Sequence, residues 1–229
     1  MGDLKKAVCE ANLDLVFRGL VMMTFGNASA IDRGAGLVVI KPSGLAYEKM
    51  RPRDMVVVNL AGEIVEGDLK PSVDLPTHLA LYAAFPSVGG IAHSHSHYAT
   101  CWAQACRPIP CLGTTHADYF RGEVPVTEAL SKQDVGEEYE RAIGASIVQL
   151  FKDRDALECP GALVANHAPF AWGKTVADAV ENAIVLEEIA RLALHTLALR
   201  PGQPPIPDHL LDKHFLRKHG EGTYYGQTR

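Results

Sequence analysis

Four short apolar runs follow one another closely through the first third of the chain, at residues 24–30, 36–40, 55–60 and 63–66. Short apolar runs bounded by turn residues are typical of β-strands, and the Ala61-Gly62 dipeptide between the last two predicts a turn. Strands spaced this closely favour hairpins. The pattern therefore predicts an antiparallel or mixed sheet.

Helical periodicity surrounds these strands. Leu4, Val8 and Leu15 predict an amphipathic helix over residues 3–18, and a second helix is predicted from Asp74, with Pro76 in its first turn. Further helices are predicted at residues 99–105, 133–151, 176–199 and 210–219, and further strands at 89–95 and 162–165. The sequence thus predicts one α/β domain with a largely antiparallel sheet covered by helices on both faces.

Composition excludes several classes of function. The chain has 229 residues and a net charge of -5, which gives no electrostatic reason to expect nucleic-acid binding. Its five cysteines show no C-x-x-C spacing, so neither a disulfide framework nor a thiolate zinc site is predicted, and a reducing cytoplasm is the simplest compartment. No apolar run follows the N-terminus, and charges interrupt residues 184–199, so we expect neither secretion nor a membrane span.

Two histidines separated by one residue, His93 and His95, give the strongest chemical signal. On a strand both side chains point to the same face and can bind one cation. Asp74 upstream and His167 downstream complete a nitrogen and oxygen ligand set suited to Zn²⁺ or another first-row divalent ion. Hydrogen-bonded histidines, a capping role for Asp74 and a turn role for His167 stay open as alternatives. His97 is left out because it is predicted to begin the next helix.

A second group of residues suits an anion. The segment at residues 41–44 combines the Lys41 cation, the Ser43 hydroxyl and the approachable backbone of Gly44, which are the groups that bind phosphate. A plain β-turn is the alternative interpretation. Further neutral donors are Gly26, Asn27 and Ser72.

A candidate acid or base stands in the polar and aromatic segment at residues 114–120, which begins with Thr114 and contains Asp118. Apolar neighbours and a nearby metal can adjust the pKa of the Asp118 carboxyl for proton transfer, although a turn or cap carboxylate is the alternative. The basic stretch at residues 210–219 is too small, in an acidic protein, to predict nucleic-acid binding. The tail after it, with Tyr224 and Tyr225, can reach a neighbouring subunit.

Together these motifs resemble the class II aldolase/adducin superfamily and, within it, the L-ribulose-5-phosphate 4-epimerases. The resemblance covers nearly the whole chain and rests on residues 24–27, 41–44, 74–78, 93–95, 113–120, 166–174, 211–214 and 224–227. The histidine motif is typical of the superfamily. The Asp118 segment and the tyrosine tail are typical of the epimerases.

The resemblance implies a three-layer α/β/α fold that spans residues 1–229 as one class II aldolase/adducin-like domain. It also implies a four-fold symmetric homotetramer with active sites between adjacent subunits, to which the tail at residues 208–229 contributes. One Zn²⁺ per subunit, or another divalent metal such as Mn²⁺ or Co²⁺, is implied, with His93, His95 and His167 as ligands and Asp74 at or beside the metal. Substrate and phosphate binding is implied for Gly26, Asn27, Lys41, Ser43, Gly44, Ser72, Val73, Thr114 and His214. Asp118 and Tyr225, the latter from a neighbouring subunit, are the implied acid/base pair.

The implied reaction interconverts L-ribulose 5-phosphate and D-xylulose 5-phosphate, which are small phosphorylated ketopentoses of carbohydrate catabolism, including that of arabinose. Because C4 is not adjacent to the carbonyl carbon, inversion at C4 requires the C3–C4 bond to break and form again. Val73 departs from the epimerase pattern, which usually has serine there, so we expect a weaker or altered phosphate contact. A class II sugar-phosphate aldolase of the fuculose- or rhamnulose-phosphate type, a sugar-phosphate dehydratase and a non-catalytic adducin-like scaffold stay open.

Overall fold

Within residues 1–136 and 138–219, the part of the chain that the computed structural model describes, seven β-strands and seven α-helices follow one another. The strands are β1 (Gly26–Asp32), β2 (Leu37–Ile40), β3 (Val56–Asn59), β4 (Ile64–Glu66), β5 (Gly90–Ser94), β6 (Gly161–Leu163) and β7 (Pro169–Gly173). The helices are α1 (Gly2–Phe17), α2 (Leu75–Ala84), α3 (His97–Gln104), α4 (Thr114–Ala117), α5 (Tyr139–Leu150), α6 (Val176–Leu199) and α7 (Asp208–His219). Two short 3-10 helices, Tyr47–Lys49 and Pro52–Asp54, lie between β2 and β3.

The strands form one sheet in the order β4-β3-β2-β1-β5-β7-β6, and each neighbouring pair is antiparallel. The register places Asn27 of β1 on one side of His93 in β5, and Phe170 of β7 on the other side. The centre of the sheet therefore carries candidate site residues on adjacent strands.

A hydrophobic core lies on each face of the sheet. Alternate residues of β2 show this division, because Val38 and Ile40 pack with α2, α3 and α5, whereas Val39 packs with α1 and the first half of α6. The period-2 alternation of a strand places its apolar residues on both faces, and each face needs a helical layer to cover it. The three-layer α/β/α prediction is confirmed.

Most predicted elements are present, and the differences have local causes. The helix predicted at residues 176–199 is confirmed as α6, and its capping box joins Thr175 and Asp178. The start predicted for α5 near residue 133 is wrong, because Ser131 and Asp134 bond each other's backbone N–H groups and form a turn instead. Strand β7 was not predicted. It begins with Pro169 and is buried along its whole length, so it shows no alternation of polar and apolar residues.

Two glycines allow α6 to lie directly on the sheet. A Cβ added to Gly90 would be 2.3 Å from Val176 Cα, and one added to Gly173 would be 2.5 Å from Asp178 Cβ. The missing side chain of Gly90, three residues before His93, therefore makes room for the backbone of α6 rather than for a ligand. This contact fixes β5, which carries His93, and its neighbour β7.

All five cysteines have free thiols. Among the described residues, we find no helix with the length and apolarity needed to span a bilayer.

Candidate active site

A cavity of about 310 Å³ lies beside the ends of β1 and β5. Six segments of the chain meet there: the start of β1, the loop after β2, the loop before α2, the end of β5, the start of α5 and the turn between β6 and β7. Its lining residues are Thr24, Phe25, Gly26, Asn27, Lys41, Ser43, Gly44, Ser72, Val73, Asp74, His93, His95, Tyr139, Glu140 and His167. The cavity thus contains all the predicted metal ligands and all the predicted substrate-binding residues except Thr114 and His214.

Three imidazoles converge in this cavity. One nitrogen each from His93, His95 and His167 forms a group whose members all lie within 4.8 Å of one another. The rings of His93 and His167 are stacked at 5.1 Å, and the His95 ring is nearly perpendicular to both. His97 begins α3, as predicted, and lies outside this group.

A hydrogen bond orients the His93 ring, and burial favours the neutral form of His95 and His167. The Nδ1 atom of His93 is 2.9 Å from the Pro169 carbonyl oxygen, which leaves Nε2 for the cavity. Burial is the main cause that lowers the pKa of His95, and it lowers that of His167 to about 4. Neutral imidazole is the form that binds a metal.

The donor set fits a divalent metal. The Nε2 atom of His167 is buried and has no hydrogen-bond partner among the described residues, and its Nδ1 atom is 3.4 Å from the Tyr139 hydroxyl. A buried polar atom without a partner is costly, and coordination of a cation removes that cost. Three imidazole nitrogens beside a carboxylate suit Zn²⁺ and neighbouring first-row ions.

Asp74 lies beside the histidines, although it is not a member of the group whose ligand atoms lie within 4.8 Å. It occupies the N-cap position of α2, yet its side chain accepts no capping bond there. The carboxylate Oδ2 instead accepts a hydrogen bond of 2.6 Å from Asn27 Nδ2. Burial raises the pKa of Asp74, but His93, His78 and the Asn27 bond outweigh it and hold the pKa below its ordinary value. The Asp74 carboxylate is therefore ionised where it lines the cavity.

Two paired loops build the part of the cavity that contains the predicted phosphate-binding residues. Pro42 and Pro71 form an antiparallel bridge, in which Ser43 N donates to Lys70 O and Ser72 N donates to Lys41 O. Because those two backbone N–H groups are used, the Ser43 hydroxyl and the following residues, Gly44 and Val73, remain to face a ligand. The Ser72 hydroxyl also lines the cavity, where it accepts a bond of 3.1 Å from Asn27 Nδ2 and lies 3.4 Å from Asp74 Oδ2. Gly44 has a φ of 65°, in the left-handed region that favours glycine.

Asp118 is held in a separate cluster. Its carboxylate accepts a bond of 2.9 Å from Arg217 Nε and lies 3.0 Å from His214 Nδ1, and its backbone carbonyl is 2.9 Å from His219 Nε2. Burial raises the pKa of Asp118, but the bonds from Arg217 and His214 outweigh it and lower the pKa. Neither Asp118 nor Thr114 nor His214 lines the histidine cavity of the same protomer.

Some residues of these sites carry no sequence signal of their own. Tyr139 and Glu140 line the cavity because α5 begins there, six residues after its predicted start. Arg217 stands in the predicted basic helix, but only the packing of α7 on α4 brings it to Asp118. Tyr225 lies outside the described residues.

A protein-family comparison agrees with this arrangement. Residues 6–194 match the family described as "Class II Aldolase and Adducin N-terminal domain".

Curated and solved relatives give finer comparisons. The chain is 55% identical over 227 residues, covering 99% of this chain and 100% of the relative, to a protein named L-ribulose-5-phosphate 4-epimerase UlaF from Salmonella paratyphi A. A solved structure titled L-fuculose 1-phosphate aldolase matches with a TM-score of 0.79 at 25% identity, over 93% of this chain and 94% of that one. A second, titled YgbL, a putative aldolase/epimerase/decarboxylase from Klebsiella pneumoniae, matches with a TM-score of 0.75 at 27% identity, over 92% and 97%.

Proposed function

Because the chain belongs to the class II aldolase and adducin family, we propose that it is a metal-dependent enzyme that interconverts L-ribulose 5-phosphate and D-xylulose 5-phosphate. The observation that carries this proposal is the 55% identity, over essentially both full lengths, to a curated 4-epimerase with that substrate in its name. The cavity supports it, because imidazoles, carboxylate and anion-binding groups occupy one space.

The chemistry of the substrate defines what the site must do. Carbon C4 is not adjacent to the carbonyl carbon C2, so removal and return of a proton at C4 has no acidic carbon to act on. Deprotonation of the C4 hydroxyl and cleavage of C3–C4 give glycolaldehyde phosphate and the enediolate of dihydroxyacetone. Rotation of the aldehyde and re-addition of C3 to its opposite face then form the epimer.

His93, His95 and His167 would hold one divalent metal ion per subunit, with Asp74 at or beside it, and Zn²⁺ is the proposed ion, with Mn²⁺ and Co²⁺ as alternatives. The ion supplies Lewis-acid stabilisation of negative charge on the carbonyl oxygen of the substrate. The ionised Asp74 carboxylate adds negative charge to the ligand set, and its bond from Asn27 fixes its orientation.

The other cavity residues hold the two ends of the sugar. The Lys41 ammonium group and the Ser43 and Ser72 hydroxyls donate to the phosphate. Asn27 acts differently, because its amide nitrogen is bonded to Asp74 and Ser72 while its buried Oδ1 has no partner among the described residues. That oxygen is an acceptor, so it suits a sugar hydroxyl rather than a phosphate oxygen.

Asp118 and Tyr225 are the proposed proton-transfer pair, on opposite sides of the aldehyde, and they exchange roles with the direction of reaction. The lowered pKa of Asp118 makes the carboxylate the resting form at neutral pH. Asp118 does not line the histidine cavity of its own protomer, which favours a site completed by a neighbouring subunit. We expect a homotetramer in which the tail at residues 208–229, with His214 and Tyr225, and the nearby Thr114 serve such shared sites. Five free thiols fit the reducing cytoplasm as its compartment.

A sugar-phosphate aldolase is the second candidate, and the likeness to L-fuculose 1-phosphate aldolase favours it. An aldolase breaks the same bond but releases both fragments. Class II sugar-phosphate aldolases typically have a catalytic glutamate at this position, whereas Asp74 matches the epimerases. A non-catalytic scaffold has no use for the three convergent imidazoles.

The two candidates differ in their products. Metal-loaded protein is incubated with L-ribulose 5-phosphate, and the mixture is followed by NMR. The proposal predicts D-xylulose 5-phosphate as the product, with free dihydroxyacetone only in trace amounts. Dihydroxyacetone formed in step with substrate loss would establish the aldolase instead.

A further inference from the structure

We propose that Tyr47 is a positioning residue of this site, whose ring holds the Lys41 ammonium group and whose hydroxyl holds the Gly26 carbonyl. The inference rests on the proposed function, because Lys41 and Gly26 are assigned there to substrate binding. No motif in the sequence marks Tyr47, which begins the 3-10 helix after β2. It is 4% exposed and does not line the cavity itself.

Lys41 is a buried cation with few nearby groups that stabilise its positive charge. It is 2% exposed, and the one hydrogen bond that its Nζ atom donates to a described residue is a long one of 3.4 Å, to the neighbouring Pro42 carbonyl. Within the described residues no carboxylate lies within ion-pair distance of Nζ. Burial lowers the pKa of Lys41, and Asp74 opposes that shift. A lysine left in this state requires either an anion or another source of negative potential.

The Tyr47 ring supplies that potential. Lys41 Nζ lies 4.7 Å from the ring centroid, within the range of a cation–π contact. A carboxylate partner would cancel the charge of the ammonium group and compete with an incoming phosphate. An aromatic face holds the cation in place and leaves its charge for the ligand.

The Tyr47 hydroxyl acts on the other half of the cavity. It donates a bond of 2.7 Å to the Gly26 carbonyl, and burial raises the pKa of the phenol, which keeps it protonated as a donor. Gly26 has a φ of 126°, and a Cβ there would be 2.9 Å from the His93 carbonyl oxygen, so the strand passes very close to β5 at this point. The next residue, Asn27, orients Asp74. One side chain thus fixes the anion-binding lysine and the start of β1 beside the histidines.

Paired variants separate the two contacts. Tyr47→Leu removes both the ring and the hydroxyl, whereas Tyr47→Phe keeps the ring over Lys41 and removes only the bond to Gly26. Met50→Ala is the matched control, because Met50 packs in the same core cluster and does not line the cavity. The probe is inorganic phosphate, and its binding to the metal-loaded protein is measured by titration calorimetry.

We expect Tyr47→Leu to weaken phosphate binding by about 3- to 30-fold, the range of a desolvated cation–π contact. Tyr47→Phe should keep phosphate affinity within about twofold but lower kcat for the sugar phosphate, because Gly26 and Asn27 lose their anchor. In a Lys41→Met background, Tyr47→Leu should have no further effect on phosphate binding, because Tyr47 acts on phosphate through Lys41.

Three results would overturn the proposal. The first is wild-type protein that binds no phosphate, and the second is a Tyr47→Leu effect on phosphate binding that persists in the Lys41→Met background. The third is a loss of thermal stability in the Tyr47 variants, like that of Met50→Ala, without any change in phosphate affinity, KM or kcat. A failure of the proposed function looks different. Phosphate binding would then depend on Tyr47 and Lys41 as stated, while L-ribulose 5-phosphate stays unconverted.

Discussion

Single side chains divide the cavity into a half that contains the histidines and a half that contains the proposed phosphate-binding groups. The three histidines bring nitrogen atoms together on one side, and Lys41 with the two serines faces the other. Asn27 connects the halves, since its amide nitrogen contacts both Asp74 at 2.6 Å and the Ser72 hydroxyl at 3.1 Å. The two halves are therefore held at a fixed separation, which a bifunctional sugar phosphate requires.

Val73 is the residue at which this chain departs from the epimerase pattern, and it offers a gain-of-function test. It lines the cavity and is 62% exposed, so a smaller polar side chain costs the fold little. Val73→Ser adds a hydroxyl donor beside the proposed phosphate position. We expect KM for L-ribulose 5-phosphate to fall by about 3- to 10-fold with kcat nearly unchanged, because the added bond acts equally in the ground and transition states.

The matched control is Val73→Ala, which removes the methyl groups without adding a donor and should leave KM within about twofold. The measurement is the steady-state KM and kcat of the wild type, Val73→Ser and Val73→Ala. An unchanged or higher KM in Val73→Ser would show that this position does not face the phosphate.

Among single residues, the sequence predicts those site residues that belong to a recognisable chemical motif. His93, His95 and His167 could be identified because the one-residue spacing of the first two and the position of the third after an apolar strand together match a metal-ligand set. Tyr47, Tyr139 and Arg217 could not, because each looks like an ordinary core or surface residue until distant segments pack together.

Secondary-structure elements bring these side chains to one place. His93 lies on β5 and His95 directly follows that strand. His167 lies in the turn between β6 and β7, and Asp74 directly precedes α2. The turn contains Asn166 with a φ of 60°, a left-handed conformation that asparagine tolerates. Helix α6 lies against β5 and β7 and fixes their positions.

That contact predicts the effect of one methyl group. In Gly90→Ala the added carbon would be 2.3 Å from Val176 Cα, a backbone atom that cannot move without shifting α6. We expect the free energy of unfolding to fall by about 1–3 kcal/mol or more, measured by urea denaturation at fixed protein concentration.

Gly2→Ala is the control, because a Cβ at Gly2 has nothing within 4 Å and should cost no stability. Equal stability of Gly90→Ala and the wild type would mean that α6 does not pack on β5 as closely as the structure shows.

Elements with a clear periodicity were predictable, and those set by tertiary contacts were not. Helix α6 has both a capping box and a long apolar repeat, and its predicted bounds are confirmed. Strand β7 has neither an alternating pattern nor flanking turn residues that separate it from the histidine motif. Its existence depends on pairing with β5 and β6.

At the scale of the whole molecule, the histidine cavity and the Asp118 cluster lie at separate places. Helix α7 packs on α4 and secures Asp118 through Arg217 and His214, away from the cavity that contains the histidines. An enzyme that uses both groups on one substrate needs a second copy to bring them together. The tetramer of the proposal meets that need with sites between adjacent subunits.

Subunit mixing tests this arrangement. His167→Gln removes a metal ligand and Tyr225→Phe removes the proposed phenol, so each homo-oligomer should be nearly inactive. If Tyr225 serves a neighbouring subunit's metal site, hybrids assembled from equal amounts should recover about one quarter of the wild-type activity. In random assembly, about one site in four combines the intact His167 of one subunit with the intact Tyr225 of its neighbour.

Wild-type protein mixed with each variant calibrates the assembly, and metal analysis should show that Tyr225→Phe still binds its ion. Hybrids without activity would place the phenol and the histidines of each working site in the same chain.

The most direct test is a metal titration of catalysis. Metal-stripped protein is titrated with Zn²⁺ while the formation of D-xylulose 5-phosphate from L-ribulose 5-phosphate is followed in a coupled assay. The account predicts no activity without metal, a linear rise that ends at about one equivalent per chain, and no such rise in His167→Gln. Epimerisation by the metal-stripped protein, or full activity in His167→Gln, would contradict it.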